Sequence, residues 1–336
     1  MKIRLRGPLK KPAIANGCFD PESLGEEGGQ QTQLQLAKTV KNVLGEADRC
    51  LAQKFEAKKD VNKLVKARAW IVDQLILHVW NALIPSEEKV SLIAVGGFGR
   101  GELHPHSDVD LLILLEDAEP GEELRSAIES FVTLLWDAGF YLGHSVRNLE
   151  TCISEARKDI ATATSLMESR LLSGSRKMQA AMLDATSASH VWSAAEFFDA
   201  KYSEQQKRHQ QFHGTAYNLE PNIKESPGGL RDIQMIGWVA KRHFGTQSLH
   251  TLVERGFLTE SELQDLKDGR TFLWEIRFAL HTFAGRGEDR LLFEYQRKIA
   301  RHFLGSEDTQ QSNAIVEHFM QRYYRTVMQN ERLNEM

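Results

Sequence analysis

The sequence predicts an α+β fold in which a small α/β domain is followed by an all-helical domain. Short β-branched or leucine-rich runs, typical of buried strands, occupy residues 90–95, 108–115 and 140–146. Apolar residues at three- and four-residue spacing, typical of helices, extend from Leu34 to Leu83 and again beyond residue 150. With 336 residues, 41% of them hydrophobic, the chain can bury the core of two domains.

The elements follow in a definite order. Residues 1–30 hold Pro8, Pro12 and Pro21 and most of a GEEGGQQTQ run, which predicts a flexible arm. Residues 31–150 predict two helices and then the strand-containing domain, with a helix at about 121–138 before its third strand. Residues 151–336 predict the helical domain. Its last helix reaches Met336 without a stop signal, so we expect a longer natural protein.

Composition excludes several classes of partner and location. The net charge of −4, from 42 basic and 46 acidic residues, does not favour a nucleic-acid partner. The chain has no apolar run of the ~20 residues that span a bilayer, and its start lacks the apolar core of a signal peptide. We therefore expect a cytoplasmic protein without a membrane partner. Cys18, Cys50 and Cys152 form no recognised metal or redox motif, and we expect them to be reduced.

The segment GGFGRGELHPHSDVD (96–110) carries the strongest chemical signal. Asp108 and Asp110 alternate at the start of a strand, so their carboxylates face the same side, an unfavourable arrangement unless a cation lies between them. The glycines allow backbone N–H groups to approach phosphate oxygens. The segment lacks both the GxGxxG spacing and the P-loop lysine. What remains is a site where divalent metal ions and phosphate meet.

The aspartates and the nearby histidines also allow less specific interpretations. An isolated DxD pair is usually a solvated turn, but here the buried run LLILL follows it directly. His104 and His106 are expected to shape the loop ahead of the aspartates. His209 and His213 have a metal-compatible spacing without an acidic partner nearby in the sequence, which favours a solvated helix face.

Several segments of the sequence resemble a known family. The run GGFGRGELHPHSDVDLLILL resembles the signature of the nucleotidyltransferase superfamily, and further segments resemble the bifunctional uridylyltransferase/uridylyl-removing enzymes of bacterial nitrogen signalling. These further segments, in chain order, are GHSVRNLETC, LMESRLLSG, NLEPNIKESPGGLRDIQ and FALHTFAGRGEDRLLFEYQRKIA. The resemblance covers about residues 35–336. It implies a polymerase-beta-like domain with a small mixed sheet and an associated helical domain.

The resemblance also implies a reaction and its residues. The reaction is transfer of UMP from UTP to a tyrosine hydroxyl of the signalling protein PII, with Mg²⁺, or Mn²⁺ in its place, and release of pyrophosphate. Asp108 and Asp110 are then the catalytic metal ligands. Four residues are expected to bind the nucleotide phosphates: Gly96, Gly97, Arg100 and Ser107. The third acidic ligand common in the superfamily is missing from the strand at 140–146, and Glu168 or His144 are the candidates for it.

The loop KESPGGLRDIQ (224–234) is a second candidate site. Lys224 and Arg231 flank the start of a helix, an arrangement that can bind a triphosphate. The structural alternative is a capped helix whose charges pair with Glu225 and Asp232. The residues alone do not decide between phosphate binding and a capped helix, whereas the family resemblance favours phosphate binding. Arg286 and Arg290 raise the same question with less support.

Two other functions stay open. One is a related adenylyltransferase that modifies glutamine synthetase, and the other is a non-catalytic nucleotidyltransferase fold that senses a nucleotide. The uridylyl-removing activity of the family belongs to an HD-type hydrolase domain followed by two ACT domains. The chain contains no His-Asp dipeptide, so we expect it to hold the transferase part alone.

Overall fold

The computed structural model describes residues 5–25, 32–85, 89–212, 214–246, 248–304 and 312–335. The chain divides into two compact units, of which the first ends at Val191 and the second begins at Trp192. None of the helices in these ranges is both long and apolar enough to span a membrane.

The first unit begins with two long helices. Helix α1 spans Gln33–Glu56 and begins at a capping box between Thr32 and Gln35. Helix α2 spans Val61–Leu83 and is capped by the side chain of Asp60, which accepts a hydrogen bond from the Asn62 N–H. The two helices pack on each other through apolar positions at helical spacing, as the sequence predicts.

A four-stranded mixed sheet follows, with the order β3-β2-β1-β4. Its strands are β1 Val90–Ala94, β2 Val109–Leu115, β3 Leu142–Asn148 and β4 Arg170–Ser173. Strand β1 is antiparallel to both β2 and β4, whereas β2 and β3 are parallel. The connecting helices are α3 Gly96–Gly99, α4 Glu122–Asp137, α5 Leu149–Lys158 and α6 Ile160–Met167, and α7 Arg176–Ala185 follows β4. The small mixed sheet confirms the predicted α+β class.

The first unit is larger than the domain predicted to end at residue 150. Strand β4 lies in a stretch that we predicted to be helical, and it fills the second edge of β1. Four residues are too few to show a strand period, and the pairing partner lies far away in the sequence. The polypeptide between residues 150 and 191 therefore belongs to the sheet-containing unit.

The N-terminal segment packs on this unit, contrary to the prediction of a flexible arm. Residues 5–25 contain two short 3₁₀ helices, and Ala15, Phe19 and Leu24 are buried. The Arg6 carbonyl accepts hydrogen bonds from the Leu171 N–H and the Gln179 side chain, at 3.1 and 3.3 Å. Residues 1–4 and 26–31 lie outside the described residues.

The cysteine prediction is wrong for two of the three cysteines. Cys18 and Cys50 are joined by a disulfide, with their Cα atoms 5.3 Å apart. The segment after Pro12 folds back on α1, where Lys54 donates hydrogen bonds to the carbonyls of Ile14 and Asn16. This docking brings together two residues 32 positions apart, which cysteine spacing alone could not show. Cys152 is free and buried, and burial raises the pKa of its thiol to about 11.

The second unit is helical in the described residues. Its helices are α8 Ala194–Gln211, α9 Leu230–Phe244, α10 His250–Glu254, α11 Glu260–Ala284, α12 Phe293–Leu304 and α13 Ser312–Glu335. Helix α13 packs on α9, α11 and α12. The loop before α9 pairs with the loop after α11 through an isolated bridge between Asn222 and Arg290.

Candidate functional site

A glycine turn leaves the end of β1 and folds back toward the sheet. Gly96 opens this turn with a φ of +58°, in the left-handed region that favours glycine. A Cβ at Gly99 would lie 2.2 Å from the Glu168 carbonyl oxygen and 2.8 Å from that of Ala94. Side chains are therefore excluded from Gly99 by the backbone around it, and the turn is pressed tightly against the sheet.

The turn lies beside Asp110, as the motif predicts. The Val95 N–H donates to the Asp110 carbonyl oxygen across 3.0 Å, so the entry to the turn and the start of β2 are held together. A Cβ at Gly96 would lie 3.2 Å from Oδ2 of Asp110 and 3.8 Å from the Ser165 hydroxyl oxygen. A side chain at residue 96 would therefore crowd this carboxylate oxygen. Ser165, on α6, was not predicted as a neighbour.

Asp110 also lies against a second glycine on its other side. Asp110 and Gly143 are partners in the parallel register of β2 and β3. A Cβ at Gly143 would lie 2.3 Å from Oδ1 of Asp110. The sequence alone does not predict a role for Gly143, because the register between two parallel strands cannot be read from either strand alone.

The loop before β2 carries Ser107 and Asp108. Asp108 is exposed, whereas the hydroxyl oxygen of Ser107 is buried and has no hydrogen-bond partner among the described residues. His106 has a φ of +54°, an unusual conformation for a residue with a side chain. An unpartnered hydroxyl beside an exposed carboxylate matches a site for a polar group such as a phosphate oxygen.

The buried side chain of Arg68 holds this loop in place through hydrogen bonds. Arg68 on α2 donates to the His104 carbonyl oxygen across 2.9 Å. The same guanidinium forms two hydrogen bonds with Asp48 on α1, at 2.7 and 3.1 Å. The Ser107 N–H in turn donates to the His104 carbonyl oxygen at 3.2 Å. The two N-terminal helices thus fix the loop that carries Ser107 and Asp108.

Gly97 and Arg100, both predicted phosphate ligands, lie at the second position of the turn and directly after its end. Arg100 donates to Glu102 across 2.7 Å, and one of its terminal nitrogens lies 3.7 Å from Glu168. Burial alone would lower the pKa of Arg100, but the charges of Glu102 and Glu168 raise it above its ordinary value. Arg100 is thus already paired with protein carboxylates. A Cβ at Gly97 would lie 3.5 Å from the Glu102 carbonyl oxygen and 3.6 Å from Nη2 of Arg100.

The structure does not bring Glu168 to the aspartates. Its side chain is buried beside Arg100. His144 on β3 has its ring against that of Trp136, with centroids 5.5 Å apart. Among the residues that the structure describes, no group of three or more acidic, histidine or cysteine side chains could hold a metal ion. The candidate centre therefore consists of Asp108 and Asp110.

The residues present fit a magnesium ion. Mg²⁺ prefers oxygen ligands and is commonly bound by one or two carboxylates, with water and substrate phosphates completing its shell. Asp108 and Asp110 provide such carboxylates, and each of the two carboxylate oxygens of Asp110 lies beside a glycine. The unpartnered Ser107 hydroxyl adds a polar group on the same loop.

Lys224 and Arg231 lie in the second unit and share one acidic neighbour. The Glu225 carboxylate lies 3.7 Å from Lys224 Nζ and 3.3 Å from Arg231 Nη2. Burial lowers the pKa of Lys224, and the nearby charges of Arg277 and Arg231 lower it further. The guanidinium of Arg231 also lies over the Trp238 ring, 5.4 Å from its centroid. This pairing with Glu225 agrees with the structural alternative, and phosphate binding by these two residues remains a prediction.

The buried carboxylate of Asp232 lies at the start of helix α9. The buried Asp232 carboxylate accepts hydrogen bonds from the Gly228 N–H at 2.8 Å and the Gln205 side chain at 3.0 Å. The N–H groups of Leu230 and Arg231 donate to the carbonyls of Ile223 and Lys224. The backbone N–H groups at this helix start therefore already donate hydrogen bonds within the protein. Binding of a phosphate here would depend on the side chains of Lys224 and Arg231.

The interpretation of His209 as a solvated residue is wrong. Its Nε2 lies 3.0 and 3.1 Å from the two carboxylate oxygens of Asp232, and Arg208 pairs with the same carboxylate. Burial alone would raise the pKa of Asp232, but the hydrogen bond from His209 and the charge of Arg208 hold it below its ordinary value. The acidic partner comes from a different helix, so local spacing could not reveal it. His213 lies outside the described residues.

A second carboxylate, that of the partly buried Asp289, helps to hold the loop before α9. Asp289 accepts hydrogen bonds from Arg277 at 2.7 Å and from His281 at 3.1 Å, and its carbonyl oxygen accepts one from the Ile223 N–H at 2.9 Å. Burial opposes ionisation of Asp289, but His281 and Arg277 outweigh it and hold the pKa well below the ordinary range. The exposed Arg286 and Arg290 pair with Glu288 and Glu220.

Comparison with known proteins agrees with this geometry. Residues 196–336 match the GlnD PII-uridylyltransferase family, and residues 45–146 match the DUF294 nucleotidyltransferase family. Relatives from Pseudomonas aeruginosa, Pseudomonas putida and Pseudomonas savastanoi are 48% identical over 322 residues, which is 94% of this chain. Each is named a bifunctional uridylyltransferase/uridylyl-removing enzyme, and the chain spans 35% of their length. The nucleotidyltransferase match includes the glycine turn and both aspartates, and on this similarity the chain belongs to the family of bifunctional uridylyltransferase/uridylyl-removing enzymes.

Proposed function

We propose that the chain catalyses the metal-dependent transfer of UMP from UTP to a tyrosine hydroxyl of the signalling protein PII, releasing pyrophosphate. The observation that carries this proposal is the position of Asp110, whose two carboxylate oxygens each face a glycine beside the turn that follows β1. The names of the relatives support the choice of uridylyl transfer. The proposal keeps the cytoplasmic location predicted from the sequence.

The site's residues have separate roles in the proposed reaction. Asp108 and Asp110 would hold Mg²⁺, which when bound supplies positive charge for the attacking and leaving oxygens. Gly96 and Gly97 admit the phosphates to the turn, and the unpartnered Ser107 hydroxyl donates to a phosphate oxygen. Lys224 and Arg231, in the second unit, are proposed to bind phosphate, as the sequence predicts.

The bond changes follow from in-line displacement at phosphorus. The tyrosine oxygen attacks the α-phosphorus of UTP and forms the new phosphodiester bond. The bond from the α-phosphorus to its bridging oxygen breaks, and pyrophosphate leaves with the electron pair. The tyrosine proton passes to a carboxylate near the tyrosine oxygen.

The test is a transfer assay with purified PII, Mg²⁺ and labelled nucleotide. We expect label from UTP on PII, formation of pyrophosphate, and loss of both with Asp110→Asn. Transfer from ATP to glutamine synthetase instead would favour the related adenylyltransferase function. Nucleotide binding without pyrophosphate formation, with either acceptor, would identify a sensor and overturn the enzymatic proposal.

A further inference from the structure

Gly143 on β3 has a neighbourhood that distinguishes it from Gly99, the crowded glycine of the turn. All three of the nearest atoms that a Cβ there would meet belong to Asp110: Oδ1 at 2.3 Å, Cγ at 3.5 Å and Cα at 4.0 Å. At Gly99, by contrast, the nearest atoms are backbone oxygens. A methyl group at residue 143 therefore conflicts with one movable carboxylate, whereas at residue 99 it conflicts with the chain itself.

The backbone at Gly143 does not itself require glycine. Its φ is not in the left-handed region, and it lies within the regular pairing of β2 and β3. An alanine can therefore occupy this strand position once the Asp110 side chain rotates away. The need for glycine at residue 143 comes from the carboxylate and not from the fold.

The other carboxylate oxygen of Asp110, Oδ2, also lies beside a glycine. A Cβ at Gly96 would lie 3.2 Å from Oδ2, on the side where the Ser165 hydroxyl oxygen also lies. Each carboxylate oxygen thus faces a residue without a side chain, one on β3 and one in the turn. Rotation of Asp110 to escape a methyl group at residue 143 would remove its oxygens from this arrangement.

We propose that Gly143 is a positioning residue, whose missing side chain keeps the Asp110 carboxylate in the orientation that binds a divalent metal ion. This inference rests on the proposed metal-dependent function, and it adds a residue outside the glycine turn and the aspartate pair. Gly143 itself contacts neither metal nor nucleotide. It acts through Asp110 alone.

The test is direct binding of Mn²⁺, followed by electron paramagnetic resonance of the free ion, to the chain and to Gly143→Ala. Changes in groups that position metal ligands typically weaken affinity by about 10- to 100-fold, and we expect a loss in this range. Gly45→Ala, at an exposed helical position with nothing within 4 Å, is the matched control and should bind Mn²⁺ like the unchanged chain.

A double variant separates positioning from folding. Asp110→Ala removes the oxygens that a methyl group would meet, so adding Gly143→Ala to it should leave the melting temperature unchanged. A further fall in melting temperature would show a structural role for residue 143 and overturn the inference. Equal Mn²⁺ affinity of Gly143→Ala and the unchanged chain would also overturn it. Absence of Mn²⁺ binding by the unchanged chain would instead remove the proposed metal site, and this inference with it.

Discussion

Arg170 on β4 and Asp73 on α2 form a buried ion pair with two hydrogen bonds, from Nη1 to Oδ2 at 2.6 Å and from Nη2 to Oδ1 at 2.9 Å. Nη2 also donates to the carbonyl oxygen of Phe98, in the glycine turn, at 3.0 Å. Both side chains are almost fully buried. One guanidinium therefore connects the edge of the sheet, the second helix and the turn of the candidate site.

The first prediction follows from this pair. Asp73→Ala should lower the free energy of unfolding of the first unit by about 3–5 kcal/mol, because it leaves a buried charge without its partner. Arg170→Lys should also be destabilising, since an ammonium cannot form the two parallel hydrogen bonds. Urea unfolding measures both, with Lys63→Ala in an exposed ion pair as the control. A loss under 1 kcal/mol for Asp73→Ala would contradict the prediction.

The second prediction concerns the aspartate pair. Asp108→Asn and Asp110→Asn should each abolish transfer and remove most of the rise in melting temperature that Mg²⁺ with UTP produces. Without metal, neither variant should be less stable, and relief of charge repulsion could add about 0.5–2 kcal/mol. Thermal unfolding with and without Mg²⁺ and UTP makes the comparison. Retained transfer, or a loss of several kcal/mol without metal, would mean that the pair is structural.

The third prediction tests the cations beside Glu225. Lys224→Ala should raise the KM for UTP strongly while folding stays intact, because its ion pair with Glu225 is partly exposed. Arg231→Ala should also raise the KM, with an added structural cost from the lost contact with Trp238. The exposed Lys207, on α8, provides the control Lys207→Ala. An unchanged KM for UTP in both site variants would leave these residues with the structural role alone.

The fourth prediction is acid sensitivity of the second unit. Asp232 and Asp289 have depressed pKa values in the folded state, so the stability they provide is present above the unfolded aspartate pKa of about 3.9 and is lost as the pH falls through the folded value. Asp289→Asn should therefore be less stable than the unchanged chain at pH 7, with a flatter loss of stability from about pH 5 downwards.

Urea midpoints at a series of pH values, followed by tryptophan fluorescence, give this comparison. Asp268→Asn, at an exposed carboxylate on α11, is the control and should keep the slope of the unchanged chain. Parallel curves for Asp289→Asn and the unchanged chain would show that Asp289 is not the source of the acid dependence.

The fifth prediction concerns the disulfide between Cys18 and Cys50. Alkylation of the urea-unfolded chain without reductant should label one thiol, that of Cys152, and reduction should expose all three. Reduction should also lower stability by about 2–4 kcal/mol, because the unfolded chain loses a cross-link. Intact mass and urea unfolding with and without reductant measure the two effects. Labelling of three thiols before reduction would show that the pair is not bonded in the isolated protein.

The parts of the fold that the sequence predicts are those with a strong local pattern. Strands β1 and β2 are apolar except for one polar residue each, Ser91 and Asp110, and α1 and α2 bury residues at helical spacing. Strand β4 was missed because it has four residues and acquires its conformation by pairing with β1. Arg100 and Glu102 are two residues apart, so their pairing could have been noticed in the sequence.

The candidate site also combines contacts that a local motif predicts with contacts that it does not predict. Its core, Gly96 beside Asp110, follows from one continuous motif. Gly143 and Ser165 reach Asp110 only through the order of the strands and the path of α6. Asp232 and His209 come from different helices, and His209, predicted on a solvated helix face, contacts the buried Asp232 carboxylate. Contacts between distant segments depend on tertiary packing, which neither periodicity nor spacing reports.

Strand β4 and the N-terminal segment also determine when this unit can form during synthesis. One edge of β1 is paired with Arg170–Ser173, and the Arg6 carbonyl accepts a hydrogen bond from the Leu171 N–H. Both interactions form only after these later residues have been synthesised. The ribosome adds about 5–20 residues per second, so for several seconds the nascent chain carries β1 with one edge unpaired. An exposed apolar edge strand is an aggregation hazard. A recombinant fragment that stops at residue 150 would keep that edge open permanently, whereas one that extends to residue 191 would include the strand that closes it.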